Sequence, residues 1–480
     1  MAIPRTLFHF LLVFMLMGTL VLFIHQLEIR PVHHDESVNG WFVNQVVKDG
    51  VYSYSPQHYH GPSFFYLAYL SSKLFGLGLF SIRFVAVVSG CLLCLSPLFL
   101  KREIGDAGTL TGLLVFVSSP AFLYYSRYAI HEILLVCFFS FSALSLYRYL
   151  ISGQRSYLMA GAFMLGCAAA TKETVVIYMF GMTTGLIVSL VFSRDLRPDF
   201  TGLLKDRLAP SNLLLGVISL LVALSLWFDG KGLMDFVGSY SFYFQLGKAQ
   251  SGHEKAWFYY IMLFLREETF IMLGGIFGAF WALFKRKAFD LFCLAWGATV
   301  LVFQSSIGYK TPWIILNLML PFVFLFSSSF NDLLGQMKRR SYVWILVVFV
   351  LLISGASLRK GILYSYRTFS QPENPYAYMQ TFSRAYDLSN KVKSILDKHK
   401  DIRVAFVSPL EWPYPFILRD YKQIDYWKRI PEGLNSPVIV SEVKQRVKLI
   451  RILKDKEYLF ESYRVRPGMN LDLFIRRDLL

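Results

Sequence analysis

The sequence predicts an α-helical polytopic membrane protein with about eleven spans, juxtamembrane helices and a C-terminal extracytoplasmic α/β domain. Of its 480 residues, 55% are hydrophobic and only 17% are charged, whereas soluble domains carry about 25% charged residues. The 44 Phe, 28 Tyr and 9 Trp residues suit extensive contact with a bilayer and its interfaces. The same composition excludes a disordered chain, a collagen and a disulfide-rich secreted scaffold.

Apolar runs long enough to cross the hydrocarbon core define the predicted spans. They are 7–25, 82–100, 107–125, 133–150, 157–171, 174–192, 211–228, 267–284, 288–307, 312–330 and 341–357. The first run is predicted to remain as an anchor, because no small-x-small cleavage site precedes the charged loop that follows it.

Clusters of Lys and Arg in alternate loops set the predicted orientation. Examples are 101–102, 285–287 and 338–340, and the positive-inside pattern assigns these loops and the N terminus to the cytoplasm. The chain is therefore predicted to be a multi-pass protein of the plasma or inner membrane, with the 26–61 loop and the C-terminal segment outside. Residues 62–80 are predicted as an interfacial or half-inserted helix, because another span there would reverse every later cluster.

The composition becomes more polar from about residue 359. We therefore predict a transmembrane unit, 1–358, and a soluble extracytoplasmic domain, 359–480. Short β-like runs alternate with helix-like stretches in this tail, which favours an α/β domain. The β-like runs are 403–407, 437–441 and 471–475, and the helix-like stretches are 377–399 and 442–454.

The first outer loop crowds four titratable residues, the HHDE sequence of 33–36, next to the end of the first span. An amphipathic helix is predicted to start near Ser37 and to end at Gly50. Asp35 and Glu36 then lie at its N-terminal end, where the helix dipole favours carboxylates. They are either capping acids alone or functional groups.

Two further acidic sites fall on the predicted outer side. Glu132 follows Arg127 and His131 near the end of the third span, and Lys172 precedes Glu173 between the fifth and sixth spans. Ionisable groups at such depths are costly and tend to line polar cavities. We therefore predict that Asp35 and Glu132 share one polar pocket on the outer face.

These motifs resemble the GT-C superfamily of polytopic glycosyltransferases, which includes the protein O-mannosyltransferases and the aminoarabinose lipid A transferases. The matching features are the Asp-Glu pair after the first span and the segments GPSFFYL, SIRFVAVVSG, SRYAIHE and ATKET. More narrowly, HHDE, HYHGPSFFYL, YKTPWIILN, ENPYAYMQT and EWPYPFILRD resemble a prokaryotic branch named for archaeal N-glycosylation and flippase-associated roles.

The resemblance implies transfer of a sugar from a polyprenyl-phosphate donor to an extracytoplasmic glycan, lipid or protein acceptor by inverting displacement. It implies Asp35 as the general base, with Glu36 as second choice or as a group that orients the acceptor. Glu132, with His131, would orient substrate or hold a metal. The implied substrate-binding residues are Arg127, His131, Lys172, His60, Tyr59, Lys310 and Arg266.

The chain departs from the GT-C pattern at His60, where relatives carry a lysine before the aromatic segment. His60 could contact phosphate when protonated, or act as a neutral hydrogen-bonding group. Alternatively, His58, His60 and His34 could bind a divalent metal ion, and no other cofactor is predicted.

Two other functional classes remain open: a lipid-linked glycan flippase or transporter, and a non-catalytic assembly partner. A transporter is disfavoured because the chain lacks internal repeats and its ionisable residues cluster at one membrane face. Membrane lipids are expected partners and nucleic acid is not. The aromatic turn 412–415 is predicted to pack the soluble domain against the membrane part rather than to bind sugar.

Overall fold

The first part of the chain is almost entirely helical. A computed structural model describes residues 3–54, 60–195, 200–246, 254–453 and 457–479. In a bilayer every backbone polar group needs an internal partner, so long apolar runs form helices. The helices are α1 (Arg5–Ile24), α2 (His34–Asp49), α3 (Ser63–Phe75), α4 (Leu79–Cys94), α5 (Ser96–Phe99), α6 (Lys101–Ser118), α7 (Pro120–Tyr125), α8 (His131–Ser152), α9 (Arg155–Ala169) and α10 (Val175–Phe192).

The helical unit continues to residue 366. Its further helices are α11 (Phe200–Arg207), α12 (Pro210–Trp227), α13 (Gly230–Leu246), α14 (Tyr259–Glu267), α15 (Thr269–Lys285), α16 (Ala288–Ser306), α17 (Ile315–Gln336) and α18 (Arg340–Tyr366). Helix α17 is nearly enclosed by the others, whereas α12 and α18 expose most of their apolar surface. Such exposed apolar surface is expected of helices that face lipid.

Within the described residues, eight helical stretches are long and apolar enough to cross a membrane. They coincide with eight of the predicted spans. The other predicted spans, 107–125, 157–171 and 267–284, fall on α6 with α7, on α9 and on α15. Helices α9 and α15 have 15 and 17 residues, and α6 carries charged residues in its first turns.

Helix α2 starts at His34, earlier than predicted. The side chain of His33 accepts a hydrogen bond from the backbone N of Asp35, and the Glu36 carboxylate accepts one from the backbone N of His33. This reciprocal cap satisfies N–H groups that would otherwise lack partners, so the helix extends by one turn. Gly50 ends the helix as predicted, with a left-handed φ of 77°.

The C-terminal segment folds as a small α/β unit around a five-stranded sheet. Its elements are α19 (Arg384–Lys398), β1 (Val404–Val407), α20 (Tyr414–Ile417), β2 (Ile424–Trp427), β3 (Val438–Glu442), α21 (Arg446–Ile452), β4 (Tyr458–Arg466) and β5 (Met469–Arg476). The strand order is β2-β1-β3-β5-β4. Strand β1 runs parallel to β2 and β3, and β5 runs antiparallel to β3 and β4.

The three predicted strands are confirmed as β1, β3 and β5, which are the buried central strands. The edge strands β2 and β4 were not predicted, because their exposed positions carry a mixture of charged and aromatic residues. The division of the chain into 1–358 and 359–480 stays a prediction, and α18 continues through that point to Tyr366.

A linker without regular secondary structure joins α18 to α19 and crosses the end of the helical unit where α2 lies. The hydroxyls of Tyr124 and Tyr125 donate to the backbone O atoms of Phe369 and Tyr376, at 2.9 and 3.2 Å. The side-chain amide of Gln380 donates to the O atom of Pro31 at 3.2 Å. The linker is thus bonded to the helical unit at several points.

The aromatic turn 412–415 packs against α2, as predicted. The ring of Trp412 lies edge-on to that of Trp41, with centroids 6.3 Å apart. A Cβ atom placed on Gly40 would lie 2.5 Å from the ring of Phe416, so this glycine allows α20 to approach α2 closely.

Gly61 holds the start of α3 against the segment between α9 and α10. Its backbone N donates to the O atom of Thr171 at 3.1 Å, and a Cβ atom there would lie 2.1 Å from the O atom of Ala170. Gly61→Ala should therefore destabilise the protein by about 1–3 kcal/mol or more through overpacking. Gly78→Ala is the control, because a Cβ atom added to Gly78 would have no neighbour within 4 Å. Equal thermal midpoints for both purified variants in detergent would contradict this packing.

Candidate active site

Glu36 is a completely buried carboxylate at the start of α2. Its two oxygens accept hydrogen bonds from Nε and Nη2 of Arg83, both at 2.7 Å. The backbone N atoms of Ala129 and His33 also donate to it, at 2.8 and 3.0 Å. Burial alone would raise the pKa of Glu36, but the charges of Arg83 and Arg30 lower it to about 2. Glu36 is thus a permanent anion.

The role predicted for Glu36, a second-choice base or a group that orients the acceptor, does not agree with this environment. A fully enclosed carboxylate with a pKa of about 2 neither touches an acceptor nor takes its proton readily. Glu36 instead fixes the start of α2 against α4 and against the loop before α8. Its contacts thereby also fix the backbone position of its neighbour Asp35.

Asp35 is the accessible acid of the pair. Its side chain is 41% exposed, and its carboxylate lies 3.8 Å from Nδ1 of His33. That nitrogen accepts a hydrogen bond from the backbone N of Asp35, while Nε2 of His33 lies 2.5 Å from the backbone O of Tyr378. The proton of His33 is therefore assigned to Nε2, and burial lowers its pKa. A neutral histidine and the C-terminal linker hold the segment that presents Asp35.

Glu132 and Lys172 form a buried ion pair, with 2.7 Å between Oε2 and Nζ. The other oxygen of Glu132 accepts hydrogen bonds from the side chains of Asn317 and Tyr178. Glu132 is 1% exposed, whereas the Lys172 side chain is 11% exposed. Sequence analysis named both residues as site candidates but did not predict this contact between them.

His60 and Glu173 make a second pair next to this one. Nδ1 of His60 lies 3.2 Å from one Glu173 oxygen, and the Tyr54 hydroxyl donates to the other at 2.7 Å. Burial tends to raise the pKa of Glu173, but His60 and the hydroxyl of Tyr54 lower it on balance. The rings of His60 and His131 lie 4.8 Å apart, and Nε2 of His131 has no hydrogen-bond partner among the described residues.

The predicted acidic sites lie at the same end of the helical unit. Glu36 binds the backbone N of Ala129, which lies three residues before Glu132 and just before α8 begins. His131 in turn contacts His60, which binds Glu173. The segment 129–132 thus connects them. An open cavity shared by Asp35 and Glu132 stays a prediction.

Arg127, predicted to stabilise the departing phosphate, instead caps the end of α1. Its guanidinium is buried and donates to backbone O atoms that the helix end leaves without partners. These are the carbonyls of Leu22 at 2.9 Å, Phe23 at 2.9 Å, His25 at 2.7 Å and Gln26 at 2.8 Å. Because these donors are already engaged, the phosphate role is not supported.

Lys310 is likewise used by the backbone. It is 1% exposed, and its Nζ donates to the O atoms of Lys255, at 3.2 Å, and of Ile307. The predicted substrate contact through Lys310 is therefore not supported. Arg266, also predicted to bind substrate, lies in the last turn of α14 with its side chain exposed.

The predicted metal ligands do not form a common set. His34 faces a cation, with 3.3 Å between its Nδ1 and Nη1 of Arg466, whereas His60 binds Glu173. The described ranges contain no group of three His, Cys, Asp or Glu side chains that could hold a metal ion. His58 lies outside the described residues, as does the predicted substrate contact Tyr59. His34 and His60 as described do not fit a metal site.

The main residues that sequence analysis missed are buried partners. They are Arg30 and Arg83 around Glu36, Asn317 and Tyr178 on Glu132, and Tyr54 on Glu173. One signal was available, because an arginine within an apolar segment needs an acidic partner. Arg83 interrupts such a segment and pointed to an acid like Glu36.

Removing the Glu36 charge should leave Arg83 buried without its counter-ion. We expect Glu36→Gln to reduce the free energy of unfolding by about 3–5 kcal/mol. Asp106→Asn makes the same chemical change in an exposed pair with Lys101 and should cost about 1 kcal/mol or less. Similar thermal midpoints for the two variants in detergent would show that the buried network is not needed for stability.

Comparison with known proteins identifies the fold. A family model described as dolichyl-phosphate-mannose-protein mannosyltransferase matches residues 59–205. No curated protein matches the chain. ArnT from Cupriavidus metallidurans bound to undecaprenyl phosphate is similar in structure, with a TM-score of 0.69 and 16% identity over 97% of this chain and 98% of that one.

A second similar structure is the Archaeoglobus fulgidus oligosaccharyltransferase in complex with Zn and sulfate. Its TM-score is 0.56, with 12% identity over 95% of this chain and 72% of that one. The same enzyme tethered to an acceptor peptide containing the NVT sequon gives 0.56 at 13% identity, over 96% and 74%. These structural likenesses confirm the predicted fold class, and the match of residues 59–205 to the mannosyltransferase family model agrees with the family resemblance seen in the sequence.

Proposed function

We propose that the protein is a membrane glycosyltransferase that moves a sugar from a polyprenyl-phosphate donor to an extracytoplasmic acceptor. The observation that carries this proposal is Asp35, an exposed carboxylate next to the fully buried anion Glu36, within a chain of ArnT-like fold. The undecaprenyl phosphate bound to ArnT supports a lipid-phosphate donor, and the multi-pass character of the chain supports access to it from the membrane.

In the proposed reaction Asp35 acts as general base. It accepts the proton of the acceptor hydroxyl while that oxygen attacks the anomeric carbon from the side opposite the phosphate. The bond between the anomeric carbon and the phosphate oxygen breaks, and the polyprenyl phosphate leaves with the electron pair. The configuration at the anomeric carbon is inverted.

Lys172 is the proposed contact for the departing phosphate, because its side chain keeps 11% exposure beside the more deeply buried Glu132 that binds it. Glu132 holds this ammonium in place and, with His131, orients the donor. His60, half-buried next to His131, is a further proposed substrate contact. All of these proposed contacts are made by side chains of the protein.

The orientation proposed from the loop charges assigns this end of the helical unit and the C-terminal domain to the outer side of the membrane. The glycan, lipid or peptide acceptor would then come from the extracytoplasmic side. The oligosaccharyltransferase tethered to its acceptor peptide supports a macromolecular acceptor for this fold.

Replacing the proposed base should slow turnover strongly and leave the fold intact. Asp35→Asn should reduce the release of polyprenyl phosphate from a panel of polyprenyl-phosphate sugars by roughly 10²–10⁴-fold. Its thermal midpoint should stay close to that of the parent, because the side chain is 41% exposed. Asp49→Asn, at the exposed end of the same helix, is the control. Full activity of Asp35→Asn would refute the assignment.

Variants of the ion pair between Glu132 and Lys172 distinguish its contribution to stability from its contribution to activity. Lys172→Met and Glu132→Gln should each lower stability by about 3–5 kcal/mol, because each leaves a buried charge without its partner. The double variant should regain much of the stability, yet it should still release polyprenyl phosphate at least about 10-fold more slowly than the parent. Activity that returns together with the thermal midpoint would mean that the pair is only structural.

A further inference from the structure

The C-terminal domain brings a buried cation to the start of α2. Arg466, the last residue of β4, is 3% exposed and contacts His34 through Nη1 at 3.3 Å. Its Nε and Nη2 have no hydrogen-bond partner in the part of the chain that the structure describes. Burial lowers the pKa of Arg466, and attraction to Asp35 opposes that effect. Unpaired guanidinium donors out of water are costly unless a ligand binds them.

A second buried donor lies close to this guanidinium. The hydroxyl of Tyr414, the first residue of α20, is enclosed and has no hydrogen-bond partner within the described ranges. Tyr414 and Arg466 are near enough to interact electrostatically. A guanidinium and a phenol hydroxyl together suit an oxyanion, such as a carboxylate or a phosphate.

The rim of this site is partly open. The Asp35 side chain is 41% exposed, and the neighbouring His34 and Trp412 are only half-buried. The Trp412 ring lies 6.4 Å from that of His34 and 6.3 Å from that of Trp41. Aromatic rings next to polar groups form the kind of surface that a sugar ring can pack on.

The other buried cations near this end of the helical unit are already engaged. Arg127 binds backbone carbonyls, Arg83 binds Glu36, and Lys172 binds Glu132. Arg466 differs because two of its nitrogens have no partner in the described structure. Its only close polar contact there is the neutral ring of His34, whose pKa is lowered to about 4 by burial.

We propose that Arg466 and Tyr414 of the C-terminal domain bind an oxyanion carried by the acceptor, so that the enzyme selects acidic sugars or phosphorylated acceptors. The proposal rests on the proposed function. In an inverting displacement the base and the leaving phosphate lie on opposite sides of the anomeric carbon. A cation next to Asp35 is therefore on the acceptor side, where it would align an acidic acceptor with the base.

A matched pair of sugars tests this directly. Methyl β-D-glucuronide and methyl β-D-glucoside differ only in a carboxylate in place of a hydroxymethyl group. Their dissociation constants for the full chain in detergent can be measured by ligand-observed NMR. We expect the parent protein to prefer the glucuronide by at least about 10-fold, the usual effect of a charge-assisted hydrogen bond.

Single substitutions test which residues cause the preference for the glucuronide. Arg466→Gln should remove it without changing glucoside binding, Arg466→Lys should retain part of it, and Tyr414→Phe should weaken it. Arg464→Gln is the control, because Arg464 lies on the same strand with its side chain exposed. Thermal midpoints monitor folding, and Arg466→Lys gives the answer if Arg466→Gln does not fold.

Three results would overturn the proposal. The parent protein could bind both sugars equally, or Arg466→Gln and Arg466→Lys could leave the preference for the glucuronide unchanged. The third result is that the Arg466 variants weaken binding of both sugars to the same extent. Weaker binding of undecaprenyl phosphate by Arg466→Gln, with the sugar preference kept, would assign the cation to the donor and also refute it. Because binding is measured without turnover, a glucuronide preference without sugar transfer would count against the proposed function alone.

Discussion

The buried carboxylate of Glu36 is the interaction on which the geometry of the candidate site depends. Its oxygens accept hydrogen bonds from α4, from the loop before α8 and from the backbone at its own helix start. A charge taken out of water must be fully paired, and here each oxygen has at least two donors. The start of α2 is thereby fixed in position and rotation, and the adjacent Asp35 is directed away from the core.

Two charged residues that were predicted from the sequence to bind substrate donate hydrogen bonds to the backbone instead. Arg127 and Lys310 donate to carbonyls that end helices or loops. The carbonyls at a helix end lack intrahelical partners, and a buried cation beside them supplies the missing donors. A cation at the right depth therefore indicates a polar environment, but it does not by itself indicate a phosphate site.

The fold class, the spans that form long helices and the central strands β1, β3 and β5 could be predicted from the sequence. Each of these follows from a run of apolar residues with a clear period and length. The contact between Glu132 and Lys172 could not be predicted in this way, because the two residues lie 40 positions apart in the chain.

Residue type and position alone could not distinguish Asp35 from Glu36, and only the family resemblance ranked Asp35 first. Both are carboxylates at adjacent positions of one helix start, and the difference between them lies in Arg83, 47 residues further along the chain. The segments quoted for the family resemblance contain residues whose contacts at the site were not predicted. Asn317, Gln380 and Trp412 each lie in one of them and contact the site or its supports.

The linker between α18 and α19 attaches the C-terminal part of the chain to the helical unit through hydrogen bonds. It is bonded to the helical unit through Tyr124, Tyr125 and Gln380, and the backbone O of Tyr378 binds His33. A protease cut within it would therefore leave two fragments that stay associated. Complementation by separately expressed halves becomes feasible for this fold, whereas deleting the linker would remove its contacts with the start of α2 even with every membrane helix in place.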